Sequence, residues 1–250
     1  MNQLMGGLKD KVVLVTGGTS GIGLASAAVA AANGAIVVCA DLQTAQKLPE
    51  GCEFRALDVT DWKATEALVD DLVARHVRID GLLTSAGVSR VGDVQEMTLQ
   101  DWDQVLQVNL TGSMYSAKAV APHMRRRKQG SIVALASING MLGNAGNLAY
   151  CTSKGAVIQM VRSLAADLSR SGVRVNAISP GLIHTPMTAM LDQSPALAAF
   201  VKQHLLGRVG LAQEVAHAAA FLLSDLSSFV TGINLPVDGG FSAAKVIEMA

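Results

Sequence analysis

Tyr150 and Lys154 stand four residues apart in the segment Tyr150-Cys151-Thr152-Ser153-Lys154. If residues 150–171 are helical, that spacing stacks the phenol and the ammonium on one face. A free tyrosine, with a pKa of about 10, is a poor acid or base near neutrality. A positive charge held close favours the phenolate and lowers that pKa toward the range of efficient proton transfer. Most tyrosine–lysine pairs at this spacing are solvated helix faces, so the pair gains meaning only from its surroundings.

The second chemical element is Thr16-Gly17-Gly18-Thr19-Ser20-Gly21-Ile22-Gly23. It follows an apolar run and opens a helical pattern. Glycines there permit a tight turn and let backbone N–H groups approach a pyrophosphate at a helix N-terminus. The spacing is Gly-x-x-x-Gly-x-Gly rather than the commoner Gly-x-Gly-x-x-Gly. Asp41 follows 18 residues after Gly23, at the end of the next apolar run. A carboxylate at that point can accept hydrogen bonds from adenosine ribose hydroxyls and repels a 2′-phosphate. Leu42 comes next, and neither Thr19 nor Ser20 is basic, so nothing offers charge to such a phosphate. NAD(H) is therefore expected over NADP(H). The blander role for Asp41 is a turn or cap residue.

These groups need a scaffold, and the chain reads as one. Strands are expected at 11–16, 35–40, 54–57, 80–85, 131–136, 173–179 and 233–237. Helices are expected at 21–33, 61–76 with Asp61 as N-cap, 98–124 with a break near 109–112, 149–171 and 213–224. Continuous apolar strands alternating with helices predict an α/β fold: a doubly wound, Rossmann-type parallel sheet of about seven strands with helices on both faces. No linker, repeat or low-complexity tract interrupts residues 1–250, which read as a single domain. Residues 182–210 are the least regular and read as a mobile substrate flap.

Half of the 250 residues are apolar and only 16% are charged, enough for a large core and against long disorder. Twenty basic residues balance twenty acidic ones, which argues against a general nucleic-acid binder. Cys39, Cys52 and Cys151 have no metal-ligand spacing, so no metal site is expected, and they suit a reducing compartment. No stretch has signal-peptide character or the length of a membrane span; the expected location is cytoplasmic, without membrane association.

With the glycine turn in front, Tyr150 and Lys154 in the middle and Ser137 thirteen residues before Tyr150, the chain resembles the short-chain dehydrogenase/reductase family from about residue 11 to 240. Further matches are Asp58-Val59, Ala86-Gly87, Asn109, Pro180-Gly181 and Val237-Asp238-Gly239-Gly240. The resemblance implies that Tyr150 donates or accepts the proton while hydride moves on a nicotinamide. It implies that Lys154 holds the nicotinamide ribose and depresses the tyrosine pKa, and that Ser137 hydrogen-bonds the substrate oxygen. Asn109 would hold a helix kink and a water relaying protons from Lys154. Asp58 and Val59 would lie at the adenine, and Ile183 to Thr185 at the carboxamide and phosphates. The family usually has Asn-Asn-Ala-Gly where this chain has Thr84-Ser85-Ala86-Gly87; Ser85 reaches less far than asparagine. A homotetramer is the family expectation.

The substrate pocket is expected between residues 88–91, 138–147 and the flap. Met141, Leu142, Met187, Met190, Leu191 and Phe200 suggest a hydrophobic or mixed substrate, with Asn144, Asn147 and His184 as possible polar contacts. The reading is an NAD(H)-dependent interconversion of a small secondary alcohol and a ketone. The runner-up is a 3-oxoacyl-acyl-carrier-protein reductase, for which Arg125-Arg126-Arg127-Lys128 and Arg170 would form an acidic-partner dock. The same basic run also suits a plain helix C-terminus. A cofactor-sensing regulator without turnover is the alternative from another class.

Overall fold

The computed structural model describes residues 7–191 and 194–244. In chain order the strands are β1 (Val12–Thr16), β2 (Ile36–Asp41), β3 (Cys52–Ala56), β4 (Gly81–Thr84), β5 (Gly130–Leu135), β6 (Val173–Pro180), β7 (Ile183–His184), β8 (Gly210–Leu211) and β9 (Asn234–Val237). Seven of them form one sheet in the order β3-β2-β1-β4-β5-β6-β9. Every neighbouring pair in it is parallel. The short β7 and β8 pair with each other outside it. This is the doubly wound Rossmann-type sheet that the sequence predicts.

The strand sequences explain the burial. β1, β4 and β5 are buried at every position because helices cover both faces. Alternate side chains then feed two cores. Leu14, Val38, Leu82, Ile132 and Val175 face the helices α2 (Trp62–His76), α4 (Gly112–Arg127) and α5 (Leu148–Leu168). Val13, Val15, Val37, Leu83, Val133 and Ile178 face α1 (Gly21–Ala32) and α7 (Ala212–Leu223). At the edge, β3 is only partly buried, and its Glu53 and Arg55 pair with Arg75 and Asp71 of α2 at 3.0 and 2.6 Å. Charge on an edge strand discourages pairing with another chain.

Most boundaries fall within two residues of those expected, with local causes. Asp61 caps α2 by accepting from Ala64 N at 3.0 Å, and Thr98 caps α3 (Leu99–Leu106) by accepting from Asp101 N at 3.0 Å. Two expectations change. The break anticipated near 109–112 is a π-helical turn, Gln107–Thr111, that carries α3 into α4 without interruption. Gly112 lets that junction press on Val59, since a Cβ there would come 2.7 Å from Val59 Cγ2. The described residues among 182–210 hold regular structure that their pattern does not announce: β7, a short turn of helix at Ala189–Leu191 and α6 (Pro195–Gln203). His204 closes this segment, accepting from Leu182 N at 3.2 Å on Nε2 and donating from Nδ1 to Phe200 O at 2.7 Å.

Between β1 and β4 the chain reverses its direction of travel across the sheet, which opens a crevice beyond the strand C-termini. The turn from β1 into α1 sits there with little spare room. An alanine Cβ at position 23 would be driven into the Gly17 carbonyl. Gly23→Ala is expected to lower stability in urea denaturation by about 2 kcal/mol or more, the usual cost of overpacking against backbone. An unchanged midpoint would contradict this close approach.

Candidate active site

The glycine turn is fixed by its neighbours rather than by its own side chains. Gly17 N donates to Ala40 O at 2.8 Å, which ties the turn to the end of β2. Gly17 has φ +67°, and a Cβ there would lie 2.5 Å from Ala86 N in the segment after β4. α1 starts at Gly21 with no side-chain cap and no acidic residue in its first turn. Its N-terminal amides and dipole therefore point into the crevice without a protein counter-charge, a fit for a pyrophosphate.

Asp41 stands beside this turn. Its Oδ2 accepts from Thr19 Oγ1 at 2.7 Å and Thr19 N at 3.3 Å, and its Oδ1 from Leu42 N at 2.8 Å. It is thus a turn brace, and it also lines the crevice. Asp58, after β3, accepts from Thr60 N at 2.9 Å and Thr60 Oγ1 at 2.7 Å. Ser85 lines the crevice close to Gly23, whose Cβ would lie 3.0 Å from Ser85 Oγ.

At the other end, Tyr150 and Lys154 occupy successive turns at the start of α5. Lys154 is buried, with Nζ donating to Leu135 O at 2.7 Å and lying 5.7 Å from the Tyr150 ring centroid. Ser137 follows β5 and caps a short helical turn, Ile138–Gly140, accepting from Asn139 N at 3.1 Å. Asn109 is wholly buried in the π-helical turn. Its Oδ1 accepts from Val88 N at 2.8 Å, and its Nδ2 donates to Val88 O and Ser153 Oγ, both at 3.0 Å. Asn109 O accepts from Ser113 Oγ at 2.8 Å. The residue expected to hold a kink and a water thus clamps the Val88 loop to the Tyr150 helix.

The electrostatics depart from the sequence expectation. Burial pushes the Tyr150 phenol above its usual value; a hydrogen bond with Ser137 opposes the rise and nearby Cys151 adds to it. The Lys154 ammonium is directed at Leu135 O and is itself hard to keep charged. Burial brings Lys154 from 10.5 down to about 8.

Nearly all the residues singled out line one crevice of 550 Å³: Gly17, Ser20, Gly21, Ile22, Asp41, Leu42, Asp58, Val59, Ser85, Ala86, Gly87, Ser137, Tyr150, Lys154, Pro180, Gly181, Ile183 and Thr185. Thr19, Gly23 and Asn109 stand behind this lining. Sequence reasoning missed Gln104, Gln107 and Val108, which also line it. Their spacing of three and four residues on one helical pattern was the available signal. Of the expected substrate side, Val88 and Met187 reach the crevice. Met141 instead receives Asn234 Nδ2 on its sulfur at 3.0 Å, toward β9. His184 is exposed, and the Met190 side chain lies outside the described residues.

The chain is similar to known proteins along most of its length. The family profile described as enoyl-(acyl carrier protein) reductase matches residues 17–242. A 3-oxoacyl-(acyl-carrier-protein) reductase of Thermotoga maritima is 38% identical over 242 residues, 93% of this chain and 98% of that protein. A cyclopentanol dehydrogenase of Comamonas is 38% identical over 249 residues, covering 96% of this chain and all of the relative. The ligand-free aldohexose dehydrogenase of Thermoplasma acidophilum superposes with a TM-score of 0.90 at 32% identity, over 97% of this chain and 98% of its own.

The buried ammonium has a measurable consequence. Between pH 8 and 10.5 the unfolded chain holds a proton that folded Lys154 has released. Stability from this group therefore rises with pH through that window and is lowest below it. Lys154→Met should unfold at a higher temperature than the parent at pH 7, by about 3 kcal/mol of stability. The gap should shrink as the pH approaches 10. A variant less stable than the parent at pH 7 would mean that the bond to Leu135 O outweighs the burial cost.

Proposed function

The chain belongs to the short-chain dehydrogenase/reductase family, and on that premise we propose that it is an NAD(H)-dependent oxidoreductase interconverting a small secondary alcohol and a ketone. The observation that carries the reading is the crevice itself, with Asp41 beside the glycine turn at one end and Ser137, Tyr150 and Lys154 at the other. A bound nicotinamide supplies or takes up the hydride.

The chain's own residues handle the proton and the position. Tyr150, held protonated by its burial, gives its phenolic proton to the substrate oxygen during reduction and takes it back in the alcohol direction. Ser137 donates a hydrogen bond to that oxygen as negative charge develops on it. Lys154, near 8, is close to neutrality and so can hold a proton or release it behind Tyr150. Asn109 keeps the Val88 loop and α5 in register, so the phenol faces the substrate rather than the helix. Lys154, Gly181, Ile183 and Thr185 would hold the nicotinamide end, Ser20 to Gly23 the pyrophosphate, and Asp41, Leu42, Asp58 and Val59 the adenosine.

The Thermotoga maritima relative favours a second reading, reduction of an acyl-carrier-bound ketone. Against it, Arg127 pairs with Asp80 at 3.0 Å at the N-terminal edge of the sheet. The basic run therefore stands on the side away from the crevice, roughly 20 Å off for a six-residue strand. Arg125 donates to Asp167 O at 2.9 Å and Arg126 contacts His123 Nδ1 at 2.7 Å, which leaves less of the run for a partner. A cofactor sensor has no use for Ser137 and Tyr150. Residues 1–250 are proposed to act as one cytoplasmic domain, assembled as a homotetramer. Light scattering after size exclusion tests the assembly, and a monomer would overturn it.

A panel of ketones and secondary alcohols followed at the nicotinamide absorbance band tests the activity. On the best substrate Tyr150→Phe should lower kcat by at least about 10²-fold, as loss of a general acid does, while NADH still binds. Turnover close to that of the parent would refute the role given to Tyr150.

A further inference from the structure

We infer that Thr19 is a positioning residue that locks the Asp41 carboxylate against a 2′-phosphate, and so sets the cofactor preference without itself lining the crevice. This deepens the NAD(H) reading above and rests on it. A carboxylate that could rotate away would make room for the extra phosphate of NADP(H), so the aspartate alone is an incomplete discriminator. Here both oxygens are held. Oδ1 is fixed by Leu42 N, its own neighbour along the chain, at 2.8 Å. Oδ2 is fixed from the other side, by Thr19 Oγ1 at 2.7 Å and Thr19 N at 3.3 Å.

The clamp is rigid on both sides. Gly17 N on Ala40 O fixes the glycine turn to β2 one residue before Asp41. A Cβ on Gly18 would approach Cys39 Cα at 2.9 Å, so the turn cannot drift toward the strand. Thr19 is β-branched, which restricts the direction of its hydroxyl. The three donors leave about one acceptor site free for a ribose hydroxyl, since a carboxylate accepts about four hydrogen bonds. Among the described residues that line the crevice, Lys154 is the one basic side chain, and it is buried at the opposite end. Nothing there can neutralise a 2′-phosphate beside the fixed charge.

The test measures dissociation constants for NADH and NADPH on the purified full chain, which needs no known substrate. The parent, Thr19→Val, Thr19→Ser, Asp41→Ala and the Thr19→Val/Asp41→Ala double variant are compared, with melting temperature as a control for folding. Valine keeps the shape and removes the hydroxyl. Thr19→Val should reduce the NADH-over-NADPH preference by about tenfold, the worth of one hydrogen bond to a charged group. Thr19→Ser should restore it. Within the Asp41→Ala background, Thr19→Val should change the ratio less than about twofold, because the two residues act as one unit. A Thr19→Val protein with the full parental ratio, or an equal effect with and without Asp41, overturns the inference and leaves the NAD(H) reading intact. A parent that prefers NADPH, or an Asp41→Ala protein with an unchanged ratio, overturns the NAD(H) reading itself.

Discussion

Burying both faces of a parallel sheet leaves its strand ends as the places where polar side chains can gather, and the rest of this molecule follows from that constraint. The inner strands β1, β4 and β5 carry apolar or small residues on both sides because helices cover both. Polar chemistry is displaced to the C-terminal edge, where Gly17, Asp58, Ser85 and Ser137 follow their strands and Asp41 and Pro180 end theirs. The crevice is wide there because the chain changes direction between β1 and β4. Asp80 marks the opposite edge, where it accepts from Val12 N at 2.9 Å and pairs with Arg78 and Arg127. There these contacts tie the starts of β1 and β4 to the end of α4.

The crevice end is less comfortable. Lys154 is buried against a single carbonyl, and its lowered pKa records how poorly the site supports the charge. Tyr150 is shifted the opposite way by the same cause, since burial disfavours the charged form of either group. The two proton affinities, nearly equal in free tyrosine and lysine, are thereby driven apart, with Tyr150 the tighter holder of its proton. The pair's geometry is held by neutral hydrogen bonds. Asn109 satisfies all of its amide on Val88 and Ser153, and Ser153 in turn donates to Tyr150 O at 2.8 Å. A polar cluster that is fully bonded in this way specifies one arrangement rather than several.

How much of this was legible depends on how local the cause was. The Asp61 cap, the glycine turn and the apolar strand runs are short-range features, and they were readable to within a residue or two. The π-helical turn was not, because the extra residue it accommodates answers to Val59 and Val88, which arrive from other elements. α6 was missed for a similar reason: Pro195–Gln203 is a short helix whose end is tied down by His204 reaching back to Leu182. Gln104, Gln107 and Val108 were visible as a helical face, but nothing in their types said which way that face turned.

The sequence by itself determined the alternation of buried strands and helices, hence the doubly wound sheet. It also determined the order of the glycine turn, Asp41, Ser137, Tyr150 and Lys154 along it, because period and spacing are properties of the chain. Only the tertiary structure decided what those groups do to one another. A four-residue spacing brings Lys154 near the Tyr150 ring, but the depth of burial fixes the sign of the tyrosine shift, and it is upward. Likewise an aspartate after β2 is a matter of sequence, whereas its lock onto Thr19 exists only because the glycine turn folds back over the strand end. Dielectric and direction are set by neighbours distant in the chain, and these two properties are what spacing alone cannot supply.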